Sequence, residues 1–365
     1  MTAQKPDVIV VGAGVFGLLT ARELGRAGLS VLLIDRSQPG REASRASAGI
    51  LSPLYPWRVQ APLQALAHWS QQYYPVLVDD LRRDSAIDPE LVSSGMLVFG
   101  DDERQVAQAW ARYNARPLDI LDPTQVVLRE PALGGSPARP AVFLPTVSHV
   151  HSSRLMRALT ESVYGSGIPI REDLEVTGIA TGNGRVTGVL TSDGEIAADR
   201  VVVCAGAWSG ELLKPLDIRG AVRPVKGQVI QFDAPPGLLR RILLDRDCYI
   251  IPRRNGKIVV GSTVEETGFD RDITSDARDA LQEAAAAILP ALGNLKIERH
   301  WSGLRPATPD ELPYIGAHSG LGGLYFNTGH FRHGLTTAPA SARLLADILL
   351  ERSPILDPGE YRPDR

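Results

Sequence analysis

The sequence predicts an α/β (α+β) fold: a Rossmann-like nucleotide-binding domain made of separated pieces of chain, with an inserted domain built on a mainly antiparallel sheet. Three observations carry this reading. The first 35 residues run strand, glycine turn, helix, strand. A later stretch, "LEVTGIATGNGRVTGVLTSDGEIAADRVVVCAGAW", breaks into short β-rich segments at Gly-containing turns. The chain then closes on a strand, "GLYFNTG", and a helix, "APASARLLADILL".

In chain order, "DVIVV" is a buried strand by its β-branched run, and "GAGVFG" is the turn. "FGLLTARELGRAG" has helical spacing of apolar residues and stops at Gly28; "SVLLID" is the second strand, ending in Asp35. Aromatic residues, charges and prolines mix from about Pro56 to Pro145, with helical stretches such as "LQALAHWSQQYYPVLVDDL". "SSRLMRALTESVYGSG" is a helix with Ser152 or Ser153 at its N-cap. After the meander come "GQVIQF", "CYIIPRRNGKIVVGST" and "IERHWSGLRP"; Asn255-Gly256 between alternating apolar residues marks a hairpin. The division expected is residues 1–55, 145–220 and 305–365 for the nucleotide-binding domain, and 56–144 and 221–304 for the inserted, substrate-binding one.

Composition excludes several classes. The chain has 365 residues, 44% hydrophobic and 22% charged, with a formal net charge of −3, so it is long enough for two globular domains. There is no basic tract for nucleic acid. No stretch reaches the ~18 consecutive apolar residues of a membrane span. The N-terminal apolar run is broken by three glycines and lacks a leader's cleavage site. Two cysteines, Cys204 and Cys248, are too few for a disulfide framework and read as buried thiols. A reduced, cytoplasmic setting fits. No metal is expected, since neither an H-x-x-x-H spacing nor a CxxC pair occurs.

Gly12, Gly14 and Gly17 form G-x-G-x-x-G between strand and helix. Gly12 allows the tight turn, Gly14 lets backbone approach a pyrophosphate, and Gly17 lets helix and strand pack closely. The helix N-terminus offers N–H groups and partial positive charge to the phosphates. Asp35 stands 23 residues after Gly12, where a carboxylate accepts from ribose hydroxyls and disfavours a 2′-phosphate. "REASRASAGILSP" is dense in small residues, and "VVVCAGAWS" is a buried strand ending in a glycine turn. Both suit backbone lying beside a long ligand, which favours FAD over NAD.

The motifs "DVIVVGAGVFG…LLID", "ASRASAGIL", "VVVCAGAWS", "GLRPATPDELPYIG" and "NTGHFRHGLTTAPA" together resemble the FAD-dependent amino-acid oxidases of the D-amino acid oxidase superfamily, over nearly the whole chain and in the same order. Within it, "GHFRHG" resembles the glycine oxidase branch, which supplies glycine imine for the thiazole of thiamine. The resemblance implies FAD held at its pyrophosphate by Gly12, Gly14, Val15, Phe16 and Gly17, and at its ribose by Asp35 and Arg36. It places Ser44, Ala48, Gly49 and Ile50 beside the pyrophosphate and flavin, Val176 at the adenine, and His330, Phe331, Arg332, His333, Gly334, Leu335 and Thr336 over the ring. Sarcosine oxidases attach flavin through a cysteine near a "PYIG"-like segment; none stands there, so noncovalent FAD is expected.

For substrate, the resemblance makes Arg305 the carboxylate clamp, with Tyr249 adding a phenolic hydrogen bond and Arg332 close by. A guanidinium binds a carboxylate bidentately. No catalytic side chain is expected: His330 and His333 look like bases, but hydride transfer from Cα of a neutral amine to flavin N5 needs position more than proton transfer. The implied reaction turns glycine, sarcosine or small D-amino acids and O2 into imine or 2-oxo acid, ammonia or amine, and hydrogen peroxide. The implied assembly is a homotetramer. Three other readings stand beside it: a D-amino acid or sarcosine dehydrogenase passing electrons to a quinone, a nicotinamide dehydrogenase, and a flavoprotein without turnover. The first should touch a membrane, and no amphipathic basic helix is evident.

Overall fold

The computed structural model describes residues 5–100, 102–216 and 222–365. The domain boundary expected between 220 and 221 therefore lies outside the described residues. Two large sheets organise the chain. The first is built on β1 (Val8–Val11), whose VIVV side chains are all buried because helices and strands cover both faces. Its parallel neighbours are β2 (Val31–Ile34) and β10 (Val201–Val203), and beyond them β6 (Ile170–Arg171) and β17 (Leu324–Thr328). Strand β16 (Tyr314–Ala317) closes one edge antiparallel, giving the order β16-β17-β10-β1-β2-β6.

The second sheet has eight strands in the order β15-β11-β14-β13-β12-β3-β5-β4. They are β3 (Met96–Phe99), β4 (Asp119–Leu121), β5 (Ala141–Leu144), β11 (Arg223–Phe232), β12 (Ile242–Asp245), β13 (Cys248–Pro252), β14 (Ile258–Gly261) and β15 (Ile297–Ala307). All neighbours are antiparallel except β12 and β3. The Asn255-Gly256 turn joins β13 to β14 as the sequence requires, with Gly256 at φ 85°. A third sheet, β7 (Val176–Gly182), β8 (Arg185–Thr191) and β9 (Gly194–Ala197), is the expected meander.

Helix α1 (Val15–Arg26) follows the glycine turn, and short α2 (Ala43–Ala46) follows β2. Helices α3 (Ala61–Ser85), α6 (Ser152–Gly165) and α9 (Gly334–Leu349) pack with α1 on one face of the first sheet. Although α3 belongs to the segment assigned by sequence to the inserted domain, its Leu66, Tyr74, Leu77 and Leu81 sit in that first-sheet core. Two side chains tie α3 to α9. The Tyr74 hydroxyl donates to the Leu335 carbonyl at 2.5 Å, and Ser70 Oγ accepts from the N–H of Ala340, next to Pro339. The second sheet is covered by α4 (Glu103–Tyr113), α5 (Pro123–Arg129) and α8 (Ser275–Ile288), while α7 (Ser209–Leu213) lies under β7.

One expectation needs correcting. Neither Ser152 nor Ser153 caps α6: His151 occupies the cap position, and no side chain bonds there. Ser152 Oγ donates instead to the Ser47 carbonyl at 2.6 Å, satisfying a backbone acceptor of the loop that crosses the helix start.

Candidate active site

A cavity of about 490 Å³ runs from the carboxyl ends of β1 and β2 to the face of the eight-stranded sheet. This is where open α/β sheets take their ligands. At one end it meets Asp35, Arg36, Glu175, Val176 and Trp208; at the other, Tyr249, Arg305 and residues 330–335.

The middle is backbone. Gly12 has φ 102°, and a Cβ there would stand 2.5 Å from the Cys204 carbonyl oxygen. At Gly17 a Cβ would overlap the Gly12 carbonyl, so this glycine sets the helix–strand approach and does not border the cavity. Helix α1 has no side-chain cap of its own and no acid in its first turn. Only Ser44 reaches in, its Oγ accepting from the Val15 N–H at 3.0 Å. The positive end of α1 thus faces the cavity with no carboxylate on its first-turn N–H groups among the described residues, as a pyrophosphate requires. Gly49 at φ 83° brings the Ala48–Ile50 backbone in beside it.

The ribose end holds Asp35, which accepts from the Ala13 N–H at 2.6 Å and from the N–H of Ser37 at 2.8 Å. Those bonds fix the carboxylate while leaving lone pairs for hydroxyl donors. Burial pushes its pKa up against the pull of the two N–H groups. Arg36 lies over the Trp208 ring, 3.6 Å from its centroid. An elongated dinucleotide with a negative middle fits these residues.

At the other end the residues face a small acid. Arg305 is carried on β15. Its Nη1 donates to the carbonyls of Lys226 (3.2 Å) and Thr263 (3.1 Å), and its Nη2 donates to Ser262 Oγ at 2.7 Å. No carboxylate pairs with it among the described residues, so a partly buried guanidinium keeps unfilled donors toward the cavity. Burial holds its pKa below the ordinary range, yet a guanidinium stays charged. Tyr249 on β13 lies in the same wall; burial raises its phenol pKa, with Arg305 and Ser262 pulling it back. Gly227 makes room for Arg305, since a Cβ there would overlap the guanidinium. Arg332 is exposed at the cavity edge, its guanidinium 4.7 Å from the Phe331 ring centroid. Phe331 itself has φ 44°, a conformation costing a non-glycine residue on the order of 1 kcal/mol.

The two histidines do not present bases. His330 is buried and stacks on Phe16, with centroids 3.6 Å apart and planes within 10°. Its Nδ1 meets Thr337 Oγ1 at 3.2 Å and its Nε2 meets Asn327 Oδ1 at 3.0 Å, so both ring nitrogens are engaged. Burial drives its pKa well below the ordinary value, and that of His333 to about 3, with Arg332 adding to the latter. Both are neutral at working pH. Thr336 does not border the cavity either; its hydroxyl donates to the Ile50 carbonyl at 3.2 Å and so supports the loop from behind. Cys204 does border it, and burial pushes its thiol up to about 12, leaving no thiolate near neutrality. No group of three or more His, Cys, Asp or Glu positioned for a metal occurs among the described residues.

Every other site residue expected from sequence lines this one cavity: Gly12, Gly14, Val15, Phe16, Asp35, Arg36, Ser44, Ala48, Gly49, Ile50, Val176, Tyr249, Arg305, His330, Phe331, Arg332, His333, Gly334 and Leu335. Sequence reasoning missed Ser262, Gly227, Glu175 and Asp247. Ser262 and Gly227 matter only through the fold of Arg305, and nothing in their local pattern marks them.

The family model described as FAD dependent oxidoreductase matches residues 7–348. The chain belongs to this family. Its cofactor is FAD, and it is an enzyme. A relative from Pseudomonas aeruginosa named glycine oxidase is 47% identical over 357 residues, 98% of each chain. The crystal structure of glycine oxidase from Geobacillus kaustophilus superposes with a TM-score of 0.94 at 28% identity, covering 99% of both chains. The bifunctional protein ThiO/ThiG of Trichormus variabilis is 31% identical over 97% of this chain, which covers 54% of that longer protein.

Proposed function

We propose that the protein oxidises glycine, and with it sarcosine and small D-amino acids, to the imine, using O2 as the final acceptor. The observation that carries this reading is Arg305: a partly buried guanidinium with no acidic partner among the described residues, lining a family FAD cavity. FAD, when bound, supplies the two-electron acceptor for the Cα–H bond and passes the electrons to O2, giving hydrogen peroxide.

The chain does the rest by position. Arg305 takes the substrate carboxylate, and the Tyr249 hydroxyl, shared with Ser262, adds a donor. Arg332 closes the cavity edge. No side chain here takes the Cα proton, which agrees with hydride chemistry, where orientation carries the rate. On this reading the parallel-sheet unit holds the dinucleotide and the eight-stranded sheet presents the substrate clamp. The imine leaves as such or hydrolyses to 2-oxo acid and ammonia. The fused architecture of the Trichormus relative supports delivery of imine to a thiazole-forming partner. We place the enzyme in the cytoplasm with noncovalent FAD, supported by two buried free cysteines, and as a homotetramer on the resemblance alone. No described helix is long and apolar enough to cross a membrane.

The test is an anaerobic spectrum of the purified protein before and after glycine, then air. Bleaching by glycine, recovery in air and peroxide formation are expected. Bleaching only by sarcosine or a larger D-amino acid overturns the substrate assignment. Bleaching without recovery in air moves the protein to the dehydrogenases.

A further inference from the structure

A second cavity, of about 210 Å³, lies behind the flavin-side loop, between the first turns of α3, the end of α4 and the end of β5. Gln64, His68 and Gln71 line it from α3 at helical spacing i, i+4, i+7, which puts them on one face. Trp110, Asn114 and Arg116 line it from the other side. Most of the remaining wall is apolar, including Pro53, Ala65, Leu144 and Val147.

Arg116 is the unexplained group. It is half-buried, and no carboxylate lies within ion-pair distance or lines this cavity among the described residues. Its one side-chain partner is Gln71 Oε1, 3.2 Å from Nη2. Burial lowers its pKa, and burial, with Arg116 adding to it, lowers that of His68 beside it. A half-buried guanidinium with one side-chain acceptor and no anion among the described residues keeps donors free for a ligand beside this apolar wall. At about 210 Å³ the cavity exceeds the ~150 Å³ that holds a benzene ring, so a short-chain acid fits within it.

We propose that this second cavity binds a short-chain monocarboxylate, its carboxylate on Arg116 and its chain against the proline and aliphatic wall. The site is linked to the flavin loop. Gln71, which holds Arg116, also donates through Nε2 to the Leu51 carbonyl at 2.8 Å, and Ser52 borders both cavities. Occupancy therefore pulls on residues 51–52 and alters the surroundings of the flavin. The carboxylate has two sources, the enzyme's own 2-oxo acid product and an unrelated short-chain acid; glyoxylate and propionate stand for them.

The FAD-loaded protein is dialysed to equilibrium against radiolabelled propionate and, separately, glyoxylate. Two sites per chain are expected for at least one of them, one at Arg305 and one at Arg116. Arg116→Gln should weaken the second site about 10-fold or more, the loss of a charge-assisted contact, while glycine turnover stays unchanged. Ala65→Phe, which fills the cavity and keeps the charge, should abolish the same site. Arg116-dependent binding of glyoxylate makes it a product site; of propionate alone, a site for another acid. A single site that Arg116→Gln leaves unchanged, two sites persisting in both variants, or Arg116-dependent binding of inorganic phosphate and neither carboxylate overturns the proposal. Because Arg305 and glycine turnover are followed separately, failure here leaves the oxidase reading standing.

Discussion

Arg305 has three named partners, all neutral, and that sets what its replacement does. In Arg305→Lys the charge remains but the planar fork is lost. The kcat/KM for glycine should fall about 30-fold, roughly 2 kcal/mol, mostly through KM, with stoichiometric flavin retained in the absorbance spectrum. Gly227→Ala is the subtler variant. Its Cβ would meet only the far end of the Arg305 side chain, which can move aside. Urea denaturation should therefore change by less than about 1 kcal/mol, while the glycine KM rises as it does in the lysine variant. A Gly227→Ala protein with unchanged KM would show that Arg305 is not seated for substrate as we propose.

Elements were legible where the local pattern decides them. The β-branched run of β1, the glycine turn before α1 and the Asn255-Gly256 hairpin all stand where the sequence puts them. The α6 cap was not legible, because Ser152 is claimed by a carbonyl 105 residues away in sequence. Helix α3 was readable as a helix, but its partner was not; packing against α1, α6 and α9 is a tertiary fact. A buried arginine joins three of these elements. Arg22 of α1 donates to Asp80 and Asp84 of α3, at 3.3 and 3.0 Å, and to Ser162 Oγ of α6 at 3.0 Å. Arg22→Met should leave Asp80, itself little exposed, short of a partner. Arg26 and Arg83 still reach that carboxylate, which limits the loss to about 2 kcal/mol by urea denaturation, below the 3–5 kcal/mol of a fully stranded buried charge. Glycine KM should be unchanged, because α1's cavity end lies two turns away from residue 22.

Across the whole molecule the site is assembled from both sheets, and this explains what sequence could and could not supply. Residues in fixed motifs, such as Gly12, Asp35 and the 330–335 run, are readable one by one; Ser262 and Gly227 acquire meaning only when β11, β14 and β15 come together. The same burial that builds the site also makes the protein acid-labile. His149 and His333 have pKa values near 3 and His151 near 4, each lowered first by burial, and His330 lies well below its ordinary value. In the unfolded chain each titrates near ~6.5. Between that pH and the folded values, the unfolded state binds more protons, so stability falls as pH falls. Each fully buried histidine contributes up to about 1.4 kcal/mol per pH unit in this window. Asp35 and Glu130, whose pKa values burial raises, oppose the trend in the carboxylate range, but they are two groups against six lowered histidines, His68 and His300 included. Urea denaturation at pH 7.5, 6 and 5 should show stability nearly flat above pH 7 and dropping steeply below 6. His149→Asn should be less stable at pH 7.5, having lost the His149–Arg253 contact, yet flatter in its pH dependence by about one histidine's share. An unchanged slope in that variant would mean that His149 is protonated in the folded state, against the burial that surrounds it. Over the same range kcat/KM for glycine should show no inflection from His333, whose ring keeps its neutral form from pH 5 upward.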